Sequence, residues 1–357
     1  MLIILLLLLF NIGFSYKLNF KSFIHKKKLE LPEDYELIET LDIIKKTANH
    51  ISKLISYSYI ENLNGNYIKN NIKFQNIHGE DQQKIDYISN NLFKINLCSS
   101  FKIDSIISEE EKDVCYCTNI INSNNIDKKF IVTIDPVDGS SNLDNGMPTA
   151  TIFSIYKKID NDVIKSLKTS NILSCGYILY SSSINFVFTL HNRIYYFVYD
   201  QDIKDFVLID DNIKIKKYNK LYSINEGYSE CFDSDIKKYL KYVKFNNYKQ
   251  RYYGCIVSDF HNILINGGIF LYPSTNNHLN GKIRLLYEAI PLSYIAKLAN
   301  GESSDGTMDI INKKINNIHE NTEIFIGSKD NVKEFLKFKN NKRKKYPDIN
   351  LNLMFDL

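Results

Sequence analysis

Phe130-Ile131-Val132-Thr133-Ile134 is a short, strand-like run that ends abruptly in Asp135-Pro136-Val137-Asp138-Gly139-Ser140-Ser141-Asn142. β-Branched and aromatic side chains favour a pleated strand, and Pro and Gly punctuate its end. Asp135 and Asp138 therefore stand where a strand stops, at the mouth of a sheet, where a ligand can reach them. Pro136 fixes the chain between the two carboxylates, and the Val137 carbonyl adds a further hard oxygen. Gly139 lets the backbone approach an anion, so that the amides of Gly139, Ser140 and Ser141 can cradle its oxygens at a helix start.

Two more acidic features lie outward from this point. Ser108-Glu109-Glu110-Glu111 follows the apolar Ile106-Ile107, and Glu288 sits inside Leu285-Leu286-Tyr287-Glu288. Taken alone, a Glu triplet is a solvated face and Asp-Pro-Val-Asp-Gly is a turn. Together, after two β-like runs, they offer the set of oxygens that a hard cation such as Mg²⁺ requires, shared with a substrate phosphate.

The surroundings fit an α/β or α+β layered architecture. Leu37, Leu41, Ile44, Ala48, Ile51 and Ile55 recur at helical steps, and Ile85, Ile88, Leu92 and Ile95 predict a second helix over 82–97. Strands are expected over 151–156 and 269–272, with a hairpin of 186–190 and 195–199 around His191-Asn192-Arg193. Further helices are expected over 233–243, 258–265 and 286–298, the last stopped by Asn300-Gly301. His261 lies on one of these and reads as a packing residue.

The chain has 357 residues, 44% hydrophobic and 24% charged, with a net charge of +4, which does not argue for a nucleic-acid partner. Six cysteines form no framework: Cys115 and Cys117 make a CxC with no second pair to complete a zinc site, so unpaired thiols are expected. Leu2 to Phe10 is an apolar run, too short to span a bilayer and suited to a secretory signal. Small Ser15 and a basic stretch, Lys17 to Lys28, follow. That order fits two-step import into a plastid, leaving no stable membrane anchor after processing. The alternative is a cytoplasmic protein with a misassigned start or a buried first segment.

The run Asp135 to Asn142 resembles the signature of the lithium-sensitive, metal-dependent sugar phosphatases. Further blocks resemble the class 1 fructose-1,6-bisphosphatase family: Gly79 to Asp86, Tyr222 to Tyr228, Arg251 to Gly254, Gly267 to Pro273, Asn280 to Glu288 and Ser304 to Gly306. The resemblance runs in order from about Leu37 to Phe338, which is far more specific than one motif. It implies a layered αβαβα sugar-phosphatase fold in two halves, at 29–212 and 213–339, to which composition adds a leader at 1–28 and a basic tail at 340–357. It implies hydrolysis of the 1-phosphate of fructose 1,6-bisphosphate by a Mg²⁺-activated water, with Mn²⁺ a substitute. A sedoheptulose-1,7-bisphosphatase and a non-catalytic sugar-phosphate sensor are the alternatives. By matching positions, Glu109, Glu110, Asp135, Val137 through its carbonyl, Asp138 and Glu288 hold metal. Asp86 orients or deprotonates the attacking water, with Glu110 beside it in catalysis. Arg284, Gly139, Ser140 and Ser141 take the phosphate that leaves. Asn225, Tyr228, Tyr252 and Tyr272 take the far phosphate, Lys282 the sugar, and Arg251 reaches in from a neighbouring subunit of a homo-oligomer, expected to be a tetramer.

Some positions depart from the family. Lys129-Phe130 stands where AMP-inhibited members carry Lys-Tyr, and Lys157 where they carry Arg, so AMP inhibition is not expected. Gly79-Glu80-Asp81 and Ser304-Asp305-Gly306 are similar to plastid and cyanobacterial members. The Cys-bearing insertion of thioredoxin-controlled members is absent, since Lys157 to Cys175 is short. Asn145-Gly-Met-Pro-Thr149 also departs from the usual small, apolar run.

Overall fold

Successive β-branched and aromatic runs after Ile103 build an eight-stranded sheet: β1 (Ile103–Ser108), β2 (Cys115–Tyr116), β3 (Phe130–Asp138), β4 (Thr149–Lys157), β5 (Ile172–Tyr180), β6 (Ile184–Leu190), β7 (Arg193–Asp200) and β8 (Asp205–Asp210). The computed structural model describes residues 18–60, 63, 65, 68–69, 72–73, 82–120, 128–276 and 278–339. The chain divides into two units, the first ending at Ile213 and the second beginning at Lys214. The sheet belongs to the first, in the order β8-β7-β6-β5-β4-β3-β1-β2. Its neighbours pair antiparallel except β1 and β3, which run parallel. The β6–β7 hairpin turns on His191 and Asn192, both left-handed, as a two-residue connection between twisted strands requires.

Three helices, α1 (Phe20–Glu30), α2 (Tyr35–Ser56) and α3 (Lys84–Cys98), share one core with alternate residues of the sheet. Phe130, Val132 and Ile134 of β3 join Ile44, Ala48, Ile51 and Phe93 there. The intervening Ile131, Thr133 and Asp135 face the other way and are buried as well, since successive side chains of a strand alternate between faces.

Three expectations need correcting in this unit. The leader expected over 1–28 overlaps α1, whose Phe20, Phe23 and Ile24 are buried in the core. Phe20 meets Phe197 edge-on at 5.2 Å between ring centroids, and Phe23 meets Tyr195 at 4.9 Å. Each buried Phe contributes on the order of 1.5–3 kcal/mol, so residues from Leu18 onward belong to the packed unit. The apolar run Leu2 to Phe10, Ser15, the Gly79-Glu80-Asp81 block and the 340–357 tail lie outside the described residues. In α3 the buried face is Ile85, Ser89, Phe93 and Leu97, while Ile95 is 55% exposed. The four-residue step, not the three-to-four-residue stripe through Ile88, Leu92 and Ile95, faces the sheet. Finally, the thiols are not all unpaired: Cys98 at the end of α3 forms a disulfide with Cys117, just after β2. A pair nineteen residues apart, brought together only by the return of the chain from α3 through β1 and β2, leaves no spacing signature.

The second unit contains β9 (Leu221–Ser223), β10 (Lys249–Gln250), β11 (Ile269–Tyr272), β12 (Ile283–Arg284), β13 (Gly301–Ser304), β14 (Asn321–Thr322) and β15 (Ile324–Ser328). Five of these form a sheet in the order β10-β9-β11-β15-β13, and β12 pairs with β14. Here β10, β9 and β11 are parallel to one another. Helices α4 (Ser234–Phe245) and α7 (Lys329–Lys339) bury Ile236, Tyr239, Val243, Val332 and Phe335 against Ile269, Leu271 and Phe325. Asp233 caps α4 by accepting from the amides of Asp235 and Ile236, satisfying donors that the first turn otherwise strands. Helices α5 (Ile256–Asn266) and α6 (Ile290–Leu298) complete the unit.

The helix expected over 286–298 begins as a π-helical turn, Leu285–Ala289, before α6. Its stop is Asn300, which takes the left-handed conformation with φ of 64°. Gly301 instead opens β13, where a Cβ would lie 2.6 Å from the Gly327 carbonyl oxygen; glycine is needed there for close approach. Among the described residues no helix is long and apolar enough to cross a membrane.

Candidate active site

In the first unit the parallel pairing of β1 with β3 sets Ser108 beside Ile134. The parallel pairing stops at that pair, so Glu109 and Asp135, the next residues, lie side by side while β3 runs on through Asp138. The Glu109 amide donates to the Ile134 carbonyl at 3.2 Å, which extends the ladder one step into the acidic loop. Both side chains are buried, at 7% and 1% exposure, where a carboxylate stays ionised only with a compensating charge or donors.

Asp135 pairs with Ile152 and Asp138 with Ala150, so β3 carries one extra residue between its two carboxylates. This bulge re-aims the chain at the strand end. The Asp135 carboxylate accepts from the Val137 amide at 3.1 Å, and the Pro136 carbonyl accepts from the Thr151 hydroxyl at 2.7 Å. Gly139 follows in the left-handed region with φ of 72°, a conformation costly for a side-chain-bearing residue. It caps the short 3-10 helix Ser140–Asn145, which places Gly139, Ser140 and Ser141 at a helix start. The departing segment after it has a structural account. Asn142 donates through its side-chain amide to the Pro148 carbonyl and accepts the Met147 amide on its own carbonyl, closing the turn at Gly146.

The helix α3 and the turn before it support the acidic loop with a polar stripe, of which the sequence singles out only Asp86. Gln82, Asp86, Asn90 and Lys94 recur every four residues. Gln82 donates to Glu110 at 2.5 Å, and Asn90 and Lys94 donate to one oxygen of Glu111 at 2.7 and 2.5 Å. Asp86 is 4% exposed and accepts the Gln83 amide at 2.9 Å in a capping box. The polar period-four repeat was visible in the sequence, beside the apolar one. Thus Glu111 is held by α3, whereas Glu109 follows the strand end.

In the second unit the three parallel strands β10, β9 and β11 lead at their carboxyl ends into Arg251-Tyr252, into Asn225 through Tyr228, and to Tyr272. Asn225, Tyr228, Tyr272 and Lys282 line one cavity of about 160 Å³ with Ile224, Cys231, Phe232, Thr275 and His278. Tyr252 joins them through a hydrogen bond with Asn225; burial pushes its hydroxyl well up, and Tyr272 and Asp259 add to that. Burial likewise raises Tyr272, which Lys282 pulls down and Glu288 pushes up. Both phenols therefore remain proton donors at neutral pH, suited to an anion.

Arg251 is not in this cavity: it is exposed, and its guanidinium donates to the Gln250 carbonyl at 2.8 Å. Arg284 is 5% exposed; its guanidinium donates to the Lys282 carbonyl and its amide to the Glu288 carboxylate at 2.7 Å. Glu288 thus sits on the π-helical turn it helps to cap, also 5% exposed. Burial pushes the His261 imidazole down to about 4, so it is neutral at physiological pH, as a packing residue should be.

Comparison with known proteins adds to this geometry. Residues 19–211 match the family described as fructose-1-6-bisphosphatase, N-terminal domain, and residues 215–340 its C-terminal domain. The chloroplastic fructose-1,6-bisphosphatase of Brassica napus is 36% identical over 340 residues, 89% of this chain and 80% of that protein. The class 1 fructose-1,6-bisphosphatase of Chlorobium phaeovibrioides is 38% identical over 270 residues, 72% of this chain and 80% of that protein. The crystal structure of Leishmania major fructose-1,6-bisphosphatase in holo form superposes with a TM-score of 0.83 at 30% identity, covering 91% of this chain and 99% of that one.

Proposed function

Because the chain belongs to the fructose-1,6-bisphosphatase family, we propose that it hydrolyses the 1-phosphate of fructose 1,6-bisphosphate to fructose 6-phosphate and inorganic phosphate. The observation that carries this is the emergence of Glu109 and Asp135 from adjacent parallel strands, with the bulge that re-aims Asp138 beside them. The relatives named above all bear that substrate in their names, which favours it over a sedoheptulose bisphosphate.

The proposed metal donors are Glu109, Glu110, Asp135, the Val137 carbonyl and Asp138 in the first unit and Glu288 in the second. All are hard oxygens, which fits Mg²⁺, with Mn²⁺ as substitute, and disfavours thiophilic ions. When bound, such an ion lowers the pKa of a water and offsets charge on the phosphoryl group. The chain's own residues do the rest. Asp86, on the rigid first turn of α3, orients the attacking water. The amides of Gly139, Ser140 and Ser141, with Arg284, hold the phosphate being transferred. Asn225, Tyr228, Tyr252 and Tyr272 fix the far phosphate and Lys282 the sugar, so that the reacting end is positioned by binding remote from it. The water oxygen bonds to phosphorus as the sugar oxygen departs and takes up a proton. Arg251, turned to solvent, is proposed to serve the far phosphate of a neighbouring copy in a homotetramer.

The test is phosphate release with Mg²⁺ from fructose 1,6-bisphosphate, sedoheptulose 1,7-bisphosphate, fructose 6-phosphate and inositol 1-phosphate. The first should turn over fastest, and preference for any other would overturn the assignment. The similar chloroplastic and bacterial proteins leave location to proposal: we place the mature enzyme in a plastid, with any leader ending before the core helix α1. The N-terminal sequence of the native protein checks it, and a mature chain that begins at Met1 would refute it.

A further inference from the structure

Asp259 lies in the first half of α5, fully buried, and belongs to none of the groups assigned above. Its carboxylate accepts the Ser223 hydroxyl at 2.5 Å. It also accepts the Tyr253 amide, at 3.1 Å on one oxygen and 3.3 Å on the other. Ser223 is the last residue of β9, two positions before Asn225. Tyr253 follows Tyr252 in the loop that leaves β10. One carboxylate therefore ties together the ends of two parallel strands, immediately behind the side chains that line the phosphate cavity.

A buried anion next to a phosphate pocket is an electrostatic disadvantage, because it repels the ligand through a medium of low dielectric. Its presence calls for a geometric reason, and the bonds supply it. Short strands of two and three residues give few ladder bonds to hold their ends in register. The Lys249 amide to the Lys220 carbonyl at 2.9 Å, the Arg251 amide to the Tyr222 carbonyl at 3.0 Å and the Gln250 side chain to the Ile224 carbonyl at 3.1 Å also tie this pair, and the Tyr252 hydroxyl meets Asn225. None of these holds the peptide between Tyr252 and Tyr253. The Asp259 bond to the Tyr253 amide does, and it fixes the direction in which the Tyr252 side chain leaves the chain. A carboxylate can accept from a hydroxyl and an amide at once on separate lone pairs, and its charge strengthens both bonds.

We propose that Asp259 is a positioning residue for recognition of the far phosphate: through Ser223 and Tyr253 it sets the spacing between Asn225 and Tyr252. This rests on the assignment of that cavity to the unreactive phosphate of the substrate. The carboxylate touches neither substrate nor the reacting atoms, so its loss acts on binding of the phosphorylated end and leaves the chemical step alone.

The charge gives the test a sign. Asp259→Asn removes a repulsive charge, which by electrostatics alone would tighten phosphate binding. The positioning role requires the opposite. The expected result is a KM for fructose 1,6-bisphosphate raised about tenfold, equivalent to about 1.4 kcal/mol, with kcat within about twofold. Fructose 1-phosphate, which lacks the far phosphate, should be hydrolysed by variant and parent at the same kcat/KM. A KM that is unchanged or lower overturns the proposal, as does an equal loss with both substrates, which would mark a general structural defect. Should Asp259→Asn fail to fold by circular dichroism, Ser223→Ala carries the same expectation with the charge retained. Binding of fructose 6-phosphate by calorimetry separates the premises. A parent that binds it but releases no phosphate from any substrate refutes the proposed activity, while the ratio of variant to parent affinity still decides the role of Asp259. A parent that does not bind it at all removes the phosphate assignment of the cavity and this proposal with it.

Discussion

The two units use the same geometric device for opposite charges. In the first, a single parallel pair inside an otherwise antiparallel sheet, β1 with β3, releases Glu109 and Asp135 side by side. In the second, three parallel strands release phenols, an amide and, nearby, an ammonium group. Antiparallel neighbours spend their strand ends on hairpins. Parallel neighbours need a crossover, so their carboxyl ends stay open on one side and can be furnished with ligands. The supports differ. Side chains of α3 and of the turn that leads into it bond directly to the acidic loop, as Lys94 does to Glu111 and Gln82 to Glu110. The second unit is steadied through its backbone, by Asp259 behind the loop. Side-chain support tunes the donor strength of a ligand, whereas backbone support sets spacing.

Removing a proposed metal ligand should have the largest effect. Asp138→Asn is expected to lower kcat at least ~1000-fold with the melting curve preserved, because a neutral amide neither binds a hard cation well nor offsets its charge. EDTA should abolish the parent's activity and Mg²⁺ restore it. Activity of the variant within tenfold of the parent would remove the first unit from the chemistry. Gln82→Leu, which removes the bond to Glu110 and leaves Glu110 itself, should raise the Mg²⁺ concentration needed for half-maximal activity about 10–100-fold, the range for losing a ligand's supporting partner. If excess Mg²⁺ does not recover the rate, the support acts on something other than metal affinity. Smaller again, Tyr252→Phe should raise the KM for fructose 1,6-bisphosphate about fivefold with kcat nearly unchanged, about 1 kcal/mol and the size of one ordinary net hydrogen bond. A fall in kcat at constant KM would place Tyr252 with the reacting end and break the comparison between the units.

Much of this was legible because it depends on local pattern. The β3 run reads as a strand whatever the tertiary context, although it continues through Asp138 instead of stopping at Ile134, and five of the six apolar positions read in α2, all but Ile55, are buried. What escaped was set by contacts distant in sequence. The orientation of α3 is decided by Phe93 and Leu97 meeting the sheet, and Ile88, Leu92 and Ile95 gave an equally good helical stripe until that face was known. The Cys98–Cys117 disulfide depends on how β1 and β2 return beneath α3. Phe20 and Phe23 were hidden in a lysine-rich stretch whose lysines cover the outer side of α1, so charge count outweighed two aromatic residues at a three-residue step. Asp259 carried no motif at all, since its partners lie thirty-six and six residues away.

The mildest change should be one in the second unit that costs stability and leaves substrate alone. Asp305 accepts from the Lys313 ammonium at 2.7 Å, the Thr307 hydroxyl at 2.7 Å and the amides of Thr307 and Met308, each at 2.8 Å. Burial by itself would push its pKa up; the ammonium and these donors outweigh it and hold the group at about 2. A carboxyl whose folded pKa lies below its unfolded value of roughly 3.9 stabilises the fold above that unfolded value. The contribution disappears as pH falls through the folded pKa of about 2. Asp305→Asn keeps the shape and loses the charge, so its Tm at pH 7 should lie about 2–4 °C below the parent's. That gap should stay level from pH 7 to about pH 5 and narrow below about pH 4, as the parent's carboxyl in the unfolded chain takes up its proton. KM and kcat should be those of the parent, because none of the bonds to Asp305 involves a residue of either strand-end site. A gap that persists undiminished down to pH 3 would mean that the amide's geometry, not the charge, is at fault. A raised KM would mean that this turn communicates with the cavity of Asn225 and Tyr272 after all, and the division between a site braced by side chains and one braced by backbone would have to be redrawn to include it.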